Sequence, residues 1–97
     1  MSNPEDNNLF TLEAFDYYYG EQYSEAEEKF RIAIADNSNN AVAWKGYHMA
    51  LAKVGKDSEA RTAIQRSLDL NPNDPESWFC LATFLEFVRA MITRTER

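Results

Sequence analysis

The sequence has few of the residue types from which catalytic and metal sites are built. Its 97 residues include one histidine, His48, and one cysteine, Cys80. A catalytic triad, a zinc site or a thiol dyad needs several such side chains together, so we expect both residues to be packing residues. The three glycines are scattered and form no phosphate-binding loop. The sequence therefore predicts no enzyme activity, no cofactor and no metal site.

Two further absences concern location. No run is long and apolar enough to span a bilayer, and residues 1–6 have neither the basic nor the apolar region of a signal peptide. A single cysteine cannot form a disulfide within the chain, which is typical of proteins in a reducing compartment. We therefore expect a cytoplasmic protein without a membrane partner.

Basic residues are also scarce, with ten Lys and Arg against 16 Asp and Glu and a net charge of −6. Because phosphate binding depends on clustered Lys and Arg, we do not expect nucleic acid as a partner. The acidic surplus lies in residues 1–40, which hold nine acidic and two basic residues. A solvated helix face with the pairs Glu25–Lys29 and Glu27–Arg31 would explain it, and a basic partner segment is the alternative.

The residues that are present favour helices. Apolar residues make up 44% of the chain, a globular value, and alternating strand-like runs are absent. Gly20 lies one residue before the counterpart of Gly55, so we expect a differently shaped first turn. The five predicted helices run from Leu9 to Tyr19 after a cap at Asn8, from a capping box at Ser24 and Glu27 to Asp36, from Trp44 to Gly55, from Ala60 to Asn71, and from Pro75 to about Thr95.

These helices repeat every 34 residues. Shifting the chain by 34 residues places Phe10 and Trp78 on Trp44, and the second unit begins at Ala41. Small residues in this register are expected where paired helices approach closely, because only they allow close backbone contact. They include Ala14, Ala26, Ala33, Ala60 and Ala82.

The second unit resembles the tetratricopeptide repeat. The family pattern of Trp, Leu-Gly and Tyr in the first helix and Ala, Phe, Ala and Pro in the second falls on Trp44, Tyr47-His48, Leu51, Ala60, Ile64, Ser67 and Pro72. The resemblance covers residues 7–88 and implies an all-α, right-handed superhelical array of antiparallel helix pairs, about two and a half repeats long. We expect the chain to consist of a flexible polar tail (1–7) and one domain (8–97). The repeats are repeat one (7–40), repeat two (41–74) and a terminal half repeat (75–97).

The resemblance also implies a function. Such arrays bind other proteins on a concave side formed by the first helix of each pair, so we interpret the chain as an adaptor or scaffold that holds a peptide or helix in an apolar groove. A small secretion-type chaperone that holds a client protein is an alternative. The side chains expected at the groove are Asn8, Thr11, Phe15, Tyr18, Val42, Lys45, Met49, Ala52, Glu76, Phe79, Thr83 and Glu86.

The same register bears on one class of ligand. Family members that bind the acidic tails of heat-shock chaperones use a clamp of Lys, Asn, Asn, Lys and Arg. The corresponding places in this chain hold Thr11, Phe15, Gly46, Glu76 and Cys80, and none matches. The sequence therefore predicts that these acidic tails are not ligands.

The terminal helix is apolar on nearly every side. We expect its contacts with repeat two to come from Trp78, Leu81, Ala82 and Leu85. An apolar patch left uncovered usually marks an interaction surface, so we expect a two-fold homodimer as an alternative function. The same pattern would arise in a piece of a longer protein, or in a helix that folds back over the core. The residues expected at a dimer interface are Phe84, Phe87, Val88, Met91 and Ile92.

Overall fold

A computed structural model describes residues 9–95 of the chain, with side chains as far as residue 93. Over this range the elements are α1 (Leu9–Tyr19), α2 (Tyr23–Asp36), α3 (Ala41–Lys53), α4 (Asp57–Leu70) and α5 (Pro75–Thr95). The all-α class and the presence of five helices are confirmed over this range, but α3 and α4 each begin three residues before the predicted Trp44 and Ala60. The predicted cap at Asn8 and the predicted tail of residues 1–7 lie outside it.

The helices pack as neighbours in chain order. Helix α1 pairs with α2, α3 pairs with α4, α2 also packs on α3, and α5 lies on α4 and α3. Four of the five small residues expected at close helix contacts are fully buried, namely Ala14, Ala26, Ala33 and Ala60. The fifth, Ala82, is exposed, because no described helix covers that side of α5.

The two repeats approach each other closely at Gly46 on α3. A Cβ added there would overlap the ring of Phe30 and lie 3.0 Å from Cζ of Phe15. The two rings pack edge to face with centroids 4.8 Å apart, and Phe30 is fully buried. A residue without a side chain is therefore what allows α2 and α3 to share this aromatic contact.

The two turns within the helix pairs have the same hydrogen bonds. The amides of Glu21 and Gln22 donate to residues 18 and 17, and those of Gly55 and Lys56 donate to residues 52 and 51. Glu21 and Gly55 both have positive φ, 64° and 85°. The prediction of a different first turn is therefore wrong, because Glu21, not Gly20, takes the left-handed position in the 34-residue register.

The acidic face of α2 also differs from the prediction. Helix α2 begins at Tyr23 without a side-chain cap hydrogen bond, so the capping box at Ser24 is not formed. Glu27 is buried, and Lys56 of repeat two places its Nζ 3.0 Å from a Glu27 carboxylate oxygen. Glu27 also pairs with Arg31 at 3.7 Å, as expected. Lys29 pairs instead with Glu13 of α1, at 3.6 Å.

Helix α5 packs on the array through a different face from the one predicted. Ser77 and Phe84 are its buried residues within 75–93, and Leu81 is half-buried beside them. Trp78 and Leu85 are exposed. The assignment of Phe84 to a dimer interface is therefore wrong, since its ring packs with Leu51, Ala60 and Ala63. Val88 is half-buried against the same cluster, whereas Phe87, Met91 and Ile92 are exposed.

Side-chain caps fix the start of α3 and α5. Oδ1 of Asn40 accepts hydrogen bonds from the amides of Val42 and Ala43, at 3.1 and 3.2 Å. Asp74 accepts from the amide of Glu76 at 3.1 Å, and Pro75 occupies the first helical position, as the sequence predicts. These caps fix where the first helices of repeats two and three begin. The groove-side residues of both helices follow from these starting points.

Candidate functional site

A depression of about 430 Å³ lies where α1, α3 and α5 converge, and we call it the α5 groove. Its lining is dominated by aromatic rings and other apolar side chains, with one basic residue. The lining residues are Tyr18, His48, Met49, Ala52, Lys53, Phe79, Cys80, Thr83, Phe84 and Phe87.

The floor of the α5 groove is held by a histidine that stays neutral. Nδ1 of His48 lies 2.9 Å from the carbonyl oxygen of Ala60 on α4. Because a carbonyl oxygen only accepts, Nδ1 is the protonated nitrogen and is the hydrogen-bond donor. The imidazole packs edge to face against Phe84, with ring centroids 5.4 Å apart. Burial lowers the pKa of His48, and the hydrogen bond to Ala60 offsets part of that effect. The neutral His48 side chain thus links α3 to α4 and α5 without placing a charge in the groove.

The tyrosine and the cysteine in the walls, Tyr18 and Cys80, are also neutral. Burial, followed by the nearby Tyr23 and Tyr19, raises the pKa of Tyr18. The rings of Tyr18 and Tyr23 meet edge to face at 5.2 Å. Burial likewise raises the pKa of the Cys80 thiol, so it remains protonated at neutral pH. These groups offer an apolar surface with protonated hydroxyl and thiol groups.

Charged residues beside the groove are already paired. Nζ of Lys45 lies 3.0 Å from Asp74 and 2.8 Å from Glu76. Burial alone would lower the pKa of Lys45, but the hydrogen bonds to Glu76 and Asp74 raise it overall. Burial would raise the pKa of Asp74, but hydrogen bonds from Lys45 and Ser77 lower it overall. Lys53 is the one basic residue that lines the groove itself, and its Nζ lies 5.5 Å above the ring of Tyr23.

The predicted groove residues divide between the depression and its surroundings. Tyr18, Met49, Ala52, Phe79 and Thr83 line it, whereas Val42 does not. Lys45 forms the ion pairs described above. Glu86 is outside the lining and pairs with Arg89 at 3.2 Å.

The two predicted residues from the start of α1 belong to the internal packing. Thr11 is buried and accepts a hydrogen bond from Nδ2 of Asn40 at 3.2 Å. Phe15 packs against Phe30 and stacks on Tyr19, with centroids 6.0 Å apart. We therefore assign both side chains to the contacts of α1 with its neighbours.

The lining residues that the sequence did not predict lie one helical position away from the predicted ones. On α5 they are Cys80, Phe84 and Phe87, which with Thr83 follow a helical spacing of three and four. That spacing was available in the sequence, but it competed with an equally apolar spacing through Phe79. His48 was missed because it was expected to serve as a packing residue alone.

Neither a metal centre nor a membrane span is visible in the part of the chain that the structure describes. No three His, Cys, Asp or Glu side chains there are grouped so that they could hold a metal ion. None of the five helices over residues 9–95 combines the length and the apolar character of a membrane-crossing helix.

Comparisons with known proteins agree with this geometry. A family model described as "Tetratricopeptide repeat" matches residues 63–96. Anaphase-promoting complex subunit 3 of Schizosaccharomyces pombe is 30% identical over 77 residues, which is 79% of this chain and 12% of that protein. The solved first TPR of Spaghetti (RPAP3) bound to the HSP90 peptide SRMEEVD superposes with a TM-score of 0.80 at 26% identity, covering 84% of this chain and 64% of that one.

The five packed helices with a groove on one side define a helical-repeat protein of the kind that binds other proteins. The matches assign the chain to the tetratricopeptide-repeat family. The chain spans about an eighth of the anaphase-promoting complex subunit and less than two thirds of the Spaghetti chain.

One prediction is contradicted by these comparisons. The acidic tails of heat-shock chaperones were excluded because five clamp residues are missing, yet the similar Spaghetti structure was solved with an HSP90 peptide that ends in such a tail. Two of those five places, Thr11 and Gly46, are buried by the chain's own packing. The similarity to this peptide-bound structure contradicts the exclusion of acidic chaperone tails.

Proposed function

We propose that the chain is a non-catalytic protein-interaction module whose α5 groove binds a short segment of a partner protein through large apolar side chains. The observation that carries the proposal is the apolar lining, with Met49 on one wall and Phe79 and Phe87 on the other. Its volume of about 430 Å³ falls within the range of about 300–1,000 Å³ typical of ligand pockets. The solved Spaghetti structure with a bound peptide supports the same mode of recognition.

Energetics favour an apolar anchor. Exposed aromatic rings such as Phe79 and Phe87 gain about 25 cal/mol for each Å² of apolar surface that a ligand removes from water. Lys45 is already paired with Asp74 and Glu76, so it is not available to a ligand carboxylate. A ligand carboxylate therefore finds Lys53 as its partner within the lining. A peptide with large apolar side chains and an acidic group beside them matches this surface.

A cytoplasmic adaptor or scaffold role belongs to the same proposal, and a single cysteine, which cannot form a disulfide within the chain, supports a reducing compartment. A client-holding chaperone would use the same groove, but it would bind unfolded chains without regard to sequence. The homodimer alternative has less support, since Phe84 and Val88 pack against the core of repeat two.

The test is a calorimetric titration with the peptide SRMEEVD and two variants of it. In the first variant alanine replaces Met and Val, and in the second amides replace the three carboxylate side chains. We expect the alanine variant to lose most of the affinity and the amide variant to keep part of it. Equal loss in both variants, or binding that depends on the carboxylates alone, would contradict apolar anchoring.

Substitutions in the protein locate the ligand. Phe79→Ala should weaken binding by about 1–3 kcal/mol, because truncating a central aromatic contact has effects of that size. Ile32→Ala is the matched control, since Ile32 is an exposed apolar residue on α2, away from the lining residues. If a library of peptides of mixed sequence gave no ligand sensitive to Phe79→Ala, the groove would not be the binding site.

A further inference from the structure

A second surface lies on α5, away from the α5 groove. It consists of Trp78, Ala82 and Leu85, which share one side of the helix, and we call it the outer face. In the 34-residue register these residues correspond to Trp44, His48 and Leu51 of α3. None of the three lines the groove.

The two sets of equivalent residues differ sharply in burial. Leu51 is 0% exposed and His48 is 4% exposed, because α4, together with Phe84 of α5, covers that side of α3. On α5, Leu85 is 40% exposed and Trp78 is 51% exposed. Ala82 is exposed as well, although its counterpart Ala14 in α1 is fully buried. The first two helix pairs thus bury a face that the third repeat presents to solvent.

The exposed tryptophan is nevertheless held in the same way as the covered one. Nε1 of Trp44 donates to the carbonyl oxygen of Ser38 at 2.8 Å. Nε1 of Trp78 donates to the carbonyl oxygen of Pro72 at 2.7 Å, again six residues earlier. The indole of Trp78 is therefore fixed before any partner arrives, which reduces the entropy lost on binding.

The α3–α4 contact specifies what fits such a face. Ala60 and Ala63 of α4 pack against the cluster that contains Leu51 and Trp44. Three residues further along, the guanidinium of Arg66 lies 5.5 Å from the centroid of the Trp44 ring, a cation–π contact. The face of α3 is thus covered by a helix that presents two small residues three apart and a basic residue three further on.

We propose that the outer face of α5 binds an α-helix of a partner protein with this pattern: small residues at two positions three apart and Arg or Lys at the next such position. The helix lies along α5 as α4 lies along α3, with its basic residue over the Trp78 ring. A basic partner helix also suits a chain whose net charge is −6. This surface is separate from the groove of the proposed function.

The probe is a synthetic peptide of residues 56–73, which carries the α4 pattern, added at up to millimolar concentration to the ¹⁵N-labelled full chain. The readout is the indole N–H resonance of each tryptophan. We expect a saturable shift at Trp78 and an unchanged resonance at Trp44, whose face α4 already covers. A peptide with Glu at the place of Arg66 should bind at least tenfold more weakly, and one with Glu at the place of Ala63 should not bind.

Variants of the protein test the location. Ala82→Glu replaces an exposed helical residue, so it should leave the circular dichroism spectrum unchanged while it abolishes the Trp78 shift. Leu85→Gln should weaken binding at least tenfold, whereas the groove variant Phe79→Ala should leave it unchanged. The absence of any saturable shift at Trp78 would overturn the proposal. A Trp78 shift that appears on concentrating the protein alone, with a doubled mass in light scattering, would identify a second copy as the occupant and overturn it as well.

Discussion

Of the three glycines, Gly46 is the one at which an added methyl group meets the closest neighbours. In Gly46→Ala the new Cβ meets the ring of Phe30, which is fully buried and has no room to move. Alanine favours the helix by about 1 kcal/mol, but overpacking of a core typically costs about 1–3 kcal/mol. We expect a lower free energy of unfolding in urea denaturation. Adding Phe30→Leu should recover part of the loss, and a stabilised Gly46→Ala would show that the ring contact is wrong.

His48 should make the stability of the folded chain depend on pH. Its pKa is lowered in the folded chain by burial, so between that value and the unfolded value of about 6.5 the unfolded chain binds more protons. The free energy of unfolding should therefore decrease as the pH falls below about 6.5.

His48 is the only histidine, so His48→Gln should flatten the stability profile between about pH 7 and 5.5, although the variant is less stable throughout. Thermal melts of both proteins across this range provide the measurement. Parallel profiles for the two proteins would mean that His48 does not titrate differently on folding.

At the scale of the elements, the turn between α1 and α2 contains Glu21. Within residues 9–95 this is the one residue other than glycine that has a positive φ. A non-glycine residue in the left-handed region costs about 1–2 kcal/mol, and glycine would relieve this strain. Part of the gain is lost to the flexibility of glycine in the unfolded chain. Glu21→Gly should therefore raise the free energy of unfolding by about 0.5–1 kcal/mol. Gly55→Ala, its register counterpart, should lower it. Melting temperatures that move in the same direction for both would contradict the shared turn.

The sequence predicts the positions of the helices well, since the 34-residue period and the 3.6-residue helical period are both local signals. It predicts less well which face each helix buries, because one residue rotates the direction by about 100°. On α5 the apolar residues surround the helix, so Phe84 and Trp78 compete for the core position. Only the presence of α4 on one side decides between them. The left-handed Glu21 was missed because Gly20 carries the stronger local signal.

At the scale of the whole molecule, stability should fall towards the end of α5. Helix α3 is packed by α1, α2, α4 and α5, whereas α5 contacts α3 and α4. Residues after Val88 are exposed as far as Thr93. Because local opening is easiest where little apolar surface is buried, we expect amide hydrogen exchange to be slowest in α3 and fastest in the last two turns of α5. Protection of those turns equal to that of α3 would show that α5 folds as one unit with the rest.

The different exposure of the two tryptophans, Trp44 and Trp78, affects their fluorescence. One indole lies half-buried beneath Arg66 and the other is 51% exposed, so the two rings should emit at shorter and longer wavelengths, respectively. Acrylamide should quench the long-wavelength component first. The chain thus contains a solvent-sensitive fluorophore and a shielded reference on the same scaffold, so a change confined to one emission band reports directly on α5.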